Sequence, residues 1–157
     1  MNRQPVSRTC FLCGRENPIG LKMEWFNYPE EGKVRATLTI PEEFNGYPGF
    51  VHGGIIAAIL DETSGRAIMI NGEHDRLFVT ASLEVKYRHP VPTNTPLTVS
   101  GWLIKGGQTR AKVAAELCLE DGTCLASCKA TVLKPPQEYY ELWNWQQEKK
   151  HWKVPED

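Results

Sequence analysis

The chain has 157 residues, the span of one domain with short tails. Hydrophobic residues at 41% and charged residues at 24% exclude disorder for its bulk. Eighteen Lys+Arg against 19 Asp+Glu leave a net charge of −1, which removes the electrostatic case for a nucleic-acid partner.

Residues 1–20 read as an N-terminal arm. The sequence after Met1 lacks the apolar run of a signal peptide, and no stretch approaches the ~20 apolar residues of a membrane span. With five cysteines, an odd number, this points to reduced thiols and a cytoplasmic location. Cys10 and Cys13 form a CxxC pair, half of a tetrahedral zinc site. Cys124 and Cys128 lie four apart in an expected strand, hence on one face. A zinc site using both pairs is one reading and a locally packed turn the other. No metal site is assigned.

A main domain is expected over 21–134. Its first strands are Leu21–Asn27 and Lys33–Ile40, joined by a hairpin-like break at Tyr28–Gly32. The loop to Phe50 carries Asn45-Gly46-Tyr47-Pro48-Gly49. From Gly53 to about Met69 apolar residues cover nearly every face, so the helix there is expected to be buried all round, ending at Asn71-Gly72. The period then becomes two. Val79, Ala81, Leu83, Val85 and Tyr87 alternate with polar residues. Strands Leu97–Lys105, Arg110–Glu120 and Cys124–Leu133 follow as a meander across short turns. Residues 135–157 form an aromatic-rich tail with a short helix expected on the surface or on a partner subunit. The order predicts an α+β fold, a curved antiparallel sheet wrapped round one central buried helix.

Two features of the helix carry chemistry. His52-Gly53-Gly54 opens it with exposed backbone N–H groups at the positive end of the dipole, a place for an oxyanion or polarised carbonyl, or only a place where helix and sheet approach closely. Asp61 stands amid the apolar run, where a carboxylate is costly unless paired or functional. Glu62, about 100° round the helix, is placed to pair with Arg66. Gly53 and Asp61 are eight residues apart, about 12 Å along the axis. One helix therefore cannot serve one carbonyl with both. Two antiparallel copies can, which makes a catalytic reading a dimeric one.

These residues resemble the hotdog-fold acyl-CoA thioesterases, specifically the PaaI-like branch. His52-Gly53-Gly54 with Asp61 nine residues after the His matches that branch's signature. Gly46 to Val51, the strand from Thr80 to Pro92, and Cys10 to Gly14 with Asn17 to Leu21 match as well. The resemblance covers about residues 10 to 134. It implies a hotdog fold, no cofactor, no membrane or nucleic-acid partner, an acyl-CoA substrate, and a homodimer or dimer of dimers. It further implies that Gly53 polarises the thioester carbonyl and that Asp61 is general base or nucleophile. Thr80 of the other chain would orient water, His52 would help shape the site, Asn45 or Gly46 would lie near the carbonyl, and Gly54 would be among the substrate-binding residues. If the strand is regular, Thr80, Lys86 and Arg88 share a face. Lys86 lies about 20 Å from Thr80, so the two basic residues are expected at the CoA phosphates. A hotdog hydratase or dehydratase and a non-catalytic acyl-CoA binder are the other readings.

Overall fold

A computed structural model describes residues 2–156. Seven antiparallel strands form one sheet: β1 (Asn2–Arg3), β2 (Phe26–Tyr28), β3 (Lys33–Thr39), β4 (Val79–Tyr87), β5 (Pro96–Gly106), β6 (Arg110–Leu119) and β7 (Cys124–Leu133). Their order is β1-β2-β3-β5-β6-β7-β4. Helix α1 (Gly53–Gly65) continues into a 3-10 turn, Arg66–Met69, and lies on one face of β5, β6 and β7.

The expected hotdog wrapping is corrected by this topology. The sheet is open, with β1 and β4 as its edges among the described residues. Helix α1 packs mainly on β5, β6 and β7, so the sheet covers one side of it and leaves the other uncovered. It buries Ile56, Ile59, Leu60, Thr63 and Ser64 against the sheet. Gly53 and Gly54 are exposed, and Ala57, Ala58, Asp61 and Glu62 are half-buried. The helix is thus not buried all round, despite its apolar composition. The fold is α+β, an open seven-stranded antiparallel sheet with a short helix on one face.

Where helix and sheet touch most closely, a glycine is required. A Cβ at Gly101 in β5 would stand 2.5 Å from the Thr63 carbonyl oxygen, a backbone atom that cannot step aside. Gly101→Ala is expected to cost about 1–3 kcal/mol, read as a lower midpoint in urea unfolding with an unchanged slope.

The first strand is shorter than expected. Lys22 has a left-handed backbone (φ 50°), which breaks the extended run, and the ladder begins only at Phe26. Leu21 and Met23 instead donate to Phe11 and Leu12 carbonyls, docking the segment on the arm. The arm is itself built in. Gln4 donates to Asn27 Oδ1 and to the Arg66 carbonyl. Arg66, 2% exposed, donates to Gln4 Oε1 and the Pro5 carbonyl and stacks 4.0 Å from the Trp25 ring centroid. The expected ion pair of Arg66 with Glu62 forms at 2.9 Å. The tail folds as two short helices, α2 (Gln137–Leu142) and α3 (Trp145–Glu148), separated by left-handed Asn144 (φ 54°).

Two register shifts decide which side chains meet. In β4, Thr80 pairs with Val132 but Ser82 pairs with Thr131, so Ala81 is a bulge. In β7, Ala126 pairs with Leu117 but Cys124 pairs with Cys118, so Leu125 is another. Residues directly opposite share a face. Thr80, Leu83, Val85 and Tyr87 therefore face the helix side, opposite buried Val132, Ala130, Cys128 and Ala126.

Candidate active site

Strand β4 grips both ends of α1. The Thr80 hydroxyl donates to Asp61 Oδ1 at 2.7 Å, and the Tyr87 hydroxyl donates to the Gly53 carbonyl at 2.7 Å. Thr80 and Tyr87 are seven residues apart, an odd number, and a regular strand would point them to opposite faces. The bulge at Ala81 brings both to the helix. Thr80 meets the Asp61 of its own chain, where the resemblance implied the other chain.

The opening of α1 distinguishes its two glycines. His52 is the N-cap, and its Nδ1 accepts the Gly54 N–H at 2.9 Å. An accepting Nδ1 places the proton of a neutral imidazole on Nε2. Gly54 is thereby occupied. The Gly53 N–H has no acceptor among the described residues and opens on a cleft of about 910 Å³. Gly46, Tyr47, Phe50, Ile56, Tyr87 and Arg88 are among the residues that line it.

Of the two candidates before the helix, Gly46 lines this cleft. Asn45 does not. Its Nδ2 is held by Glu42 Oε1 at 2.8 Å. Glu42 also accepts from the Gly49 N–H at 2.9 Å and the Thr93 hydroxyl at 2.5 Å. The Thr93, Gly49 and Asn45 donors hold the Glu42 carboxyl below its usual range. Glu42 orders the loop from one side, a role without a sequence signal, since its partners are 3, 7 and 51 residues away. The sequence marks Tyr87 only as one apolar residue of an alternating strand.

Asp61 lies at the other end of the helix, in a separate cavity of about 130 Å³ with Thr80, Phe78, Val132 and Trp152. Burial pushes its carboxyl above the usual value. The Thr80 hydrogen bond opposes this, and the neighbouring Glu62 charge adds to it. Neither of the two cavities contains both the Gly53 donor and the Asp61 acid.

The basic residues part company. Lys86 pairs with Ser127, on the face away from the helix, so it shares no face with Thr80. The bulge is the reason. Arg88 lies one residue beyond β4 and lines the cleft, with its guanidinium 3.6 Å from Cys124 Sγ.

Five free thiols are present. Cys124 and Cys128 do not share a face, because the bulge at Leu125 intervenes. Cys128 donates to the Leu60 carbonyl on the helix side. The CxxC pair is a packed turn in which the Ser7 hydroxyl accepts from the Cys10 N–H. A hydrogen bond from the Cys13 thiol pulls Cys10 down to about 6, and pushes Cys13 up. Cys10 is expected to alkylate with iodoacetamide along a pH profile whose midpoint is near 6. Cys13→Ala should return that midpoint toward the ordinary thiol range, as peptide mapping across pH would show.

Residues 48–126, half of the chain, match the thioesterase superfamily, and this span contains Gly53, Asp61, Thr80, Tyr87 and Arg88. The mouse acyl-coenzyme A thioesterase THEM4 is 40% identical over 90 residues, 57% of this chain and 37% of that protein. Its rat counterpart is 31% identical over 95 residues, 60% of this chain and 40% of that protein. The chain thus spans about two fifths of the length of these curated relatives. Among solved structures, the thioesterase superfamily protein RHA08564 superposes with a TM-score of 0.73 at 30% identity, covering 82% of this chain and 64% of that one. Zebrafish thioesterase superfamily member 2 gives a TM-score of 0.65 at 23% identity, over 76% and 89% of the two chains.

Proposed function

Because the chain belongs to the thioesterase superfamily, we propose that it hydrolyses acyl-CoA thioesters to a carboxylic acid and free CoA, in composite sites between two copies of the chain. The observation that carries the composite site is the division of labour along α1. The unoccupied Gly53 N–H and the Asp61 carboxyl belong to residues about 12 Å apart along the helix axis by its rise, and they line different cavities of the same chain. A reacting carbonyl needs both within about 3 Å.

What supports the partner being a second copy is the surface beside α1. Strand β4 is a nine-residue edge, and both Leu83 and Tyr87 on it are exposed. An edge of that length is a template for another strand. A two-fold pairing of β4 edges sets the two helices antiparallel, so that Gly53 of one copy approaches Asp61 of the other.

In that site the Gly53 N–H, at the positive end of the helix, stabilises the oxyanion formed on the thioester carbonyl. Asp61 takes the proton of the attacking water. The C–S bond then breaks, and the CoA thiolate leaves and is protonated. Asp61 attacking the carbonyl directly, with hydrolysis of the resulting anhydride, uses the same groups. Thr80 positions the carboxylate, Tyr87 fixes the Gly53 peptide, and His52 holds Gly54. The apolar cleft walls at Tyr47, Phe50 and Val91 suit an acyl-pantetheine chain, and Arg88 a phosphate of the nucleotide. Lys86 has no part in it. The signature His52-Gly53-Gly54 with Asp61 supports membership of the PaaI-like branch.

The test is thiol release over a panel of acyl-CoAs, followed by complementation. Asp61→Asn and Gly53→Pro, each inactive alone, are co-expressed with different tags, and the mixed dimer is isolated. Each mixed dimer has one doubly damaged and one intact site, so about half the parental rate is expected. No recovery in the mixed dimer rejects the composite site. No release from any acyl-CoA, with binding retained, makes the protein a binder.

A further inference from the structure

On the face of the sheet away from α1, the bulge at Leu125 gathers three ligand-bearing side chains. Glu116 and Cys118 are two residues apart in β6 and share a face. Cys124 begins β7 and stands opposite Cys118. The Glu116 carboxylate oxygen and the Cys118 and Cys124 sulfurs all lie within 4.8 Å of one another, and all three residues are half-buried. Without the bulge, Cys124 would have followed Cys128 to the helix side.

We propose that Glu116, Cys118 and Cys124 form a binding site for a borderline-soft divalent metal ion, zinc by preference. Two sulfurs select against magnesium and calcium, which take oxygen ligands, and favour zinc. At a tetrahedral centre with Zn–S bonds of ~2.3 Å, neighbouring sulfurs are about 3.8 Å apart. The side chains need close by only about an ångström to reach that geometry. The backbone is already set. Leu119 and Thr123 are joined by a hydrogen bond of 3.0 Å, and Asp121 Oδ1 accepts the Thr123 N–H at 2.9 Å, so the turn holds Cys118 and Cys124 as ladder partners. Three protein ligands leave a fourth position for water or an exogenous donor, as in sites where zinc is more than a structural tie. The Arg88 guanidinium stands 3.6 Å from Cys124 Sγ, a weak contact that a metal would displace. Because Arg88 also lines the cleft, loading this site would release its guanidinium toward that cleft.

The test uses the full chain, reduced and stripped of metal, titrated with Co²⁺ and back-titrated with Zn²⁺. One equivalent is expected, with a thiolate-to-cobalt charge-transfer band. The band should vanish in Cys118→Ser and in Cys124→Ser, and Glu116→Gln should weaken affinity at least about tenfold. The Cys10→Ser/Cys13→Ser double variant should keep it. Thermal unfolding gives a second readout. Zn²⁺ should raise the midpoint of the parent and of the Cys10/Cys13 variant, but not that of Cys118→Ser. A parent with no band, a band that survives Cys118→Ser, or one that is lost with the Cys10/Cys13 pair overturns the site. So does formation of a Cys118–Cys124 disulfide by a chain that, when reduced, binds no metal.

Discussion

Asp61→Asn is expected to abolish thioester hydrolysis and to stabilise the protein. The activity loss follows from removing the proton acceptor, worth about 10²- to 10⁴-fold in kcat. The stability gain follows from the direction of the Asp61 shift. Burial raises its folded value above the ordinary 3.8, so the folded state binds the proton more tightly than the unfolded chain does. The penalty for ionising it enters as pH rises from the unfolded value through the raised folded one. Asparagine carries no such penalty and keeps an oxygen for the Thr80 hydroxyl. The variant should therefore melt above the parent at pH 7, with the difference vanishing below pH 3.8. The same shift sets the acid limb of the parental kcat profile above the ordinary aspartate range. Thr80→Val, which removes the bond favouring the charged form, should move that limb higher still. A melting temperature that falls with Asp61→Asn at pH 7 would contradict the direction of the shift.

Gly53→Pro is the second large effect, expected to lower kcat by about 10²- to 10³-fold while leaving the fold intact. The substitution deletes one atom group of interest, the N–H that has no acceptor. The first helical position accepts proline, whose missing donor is no loss there. His52 already has φ −59° and ψ 135°, the extended conformation that a residue before proline prefers. The atoms nearest to a Cβ at Gly53 are those of the Tyr87 phenol, at an ordinary 3.7 Å, and the carbonyl bound by Tyr87 remains. Circular dichroism and the unfolding midpoint should match the parent. Full activity in this variant would remove the Gly53 donor from the mechanism. Activity lost together with the fold would show that the glycine serves helix packing instead.

The long strands were legible because their sequences alternate and glycine turns bound them. Cys124–Leu133 was read to the residue, and Lys33–Ile40, Leu97–Lys105 and Arg110–Glu120 to within one. The start of the helix at Gly53 and the Glu62–Arg66 pair were legible for similar reasons, being matters of capping and local spacing, whereas the helix stops at Gly65 and only a 3-10 turn reaches Met69. The register shifts were not. A bulge is settled between two strands, and neither Ala81 nor Leu125 carries a glycine, proline or polarity change to mark it. The misplaced strand side chains, Lys86 beside Thr80 and Cys124 beside Cys128, followed from assuming regular alternation. The curl of the sheet was likewise beyond reach, since pattern fixes which face is apolar but not how far the sheet bends. The choice between Gly53 and Gly54 needed the direction of the His52 imidazole. The separation of Gly53 from Asp61, by contrast, was arithmetic on helix rise, and both residues lie in α1 and line different cavities.

The Ala81 bulge has an unexpected corollary for how this strand tolerates changes in length. Losing one residue from a strand ordinarily inverts every side chain beyond the cut. Here Thr80 and Ser82 already pair with consecutive residues of the neighbouring strand, Val132 and Thr131, and Ala81 is surplus to the ladder. Excising it leaves Thr80, Leu83, Val85 and Tyr87 facing the helix as before and merely straightens the strand. The position next to the acid's own partner is therefore where a chain of this kind gains or sheds a residue without turning its site inside out.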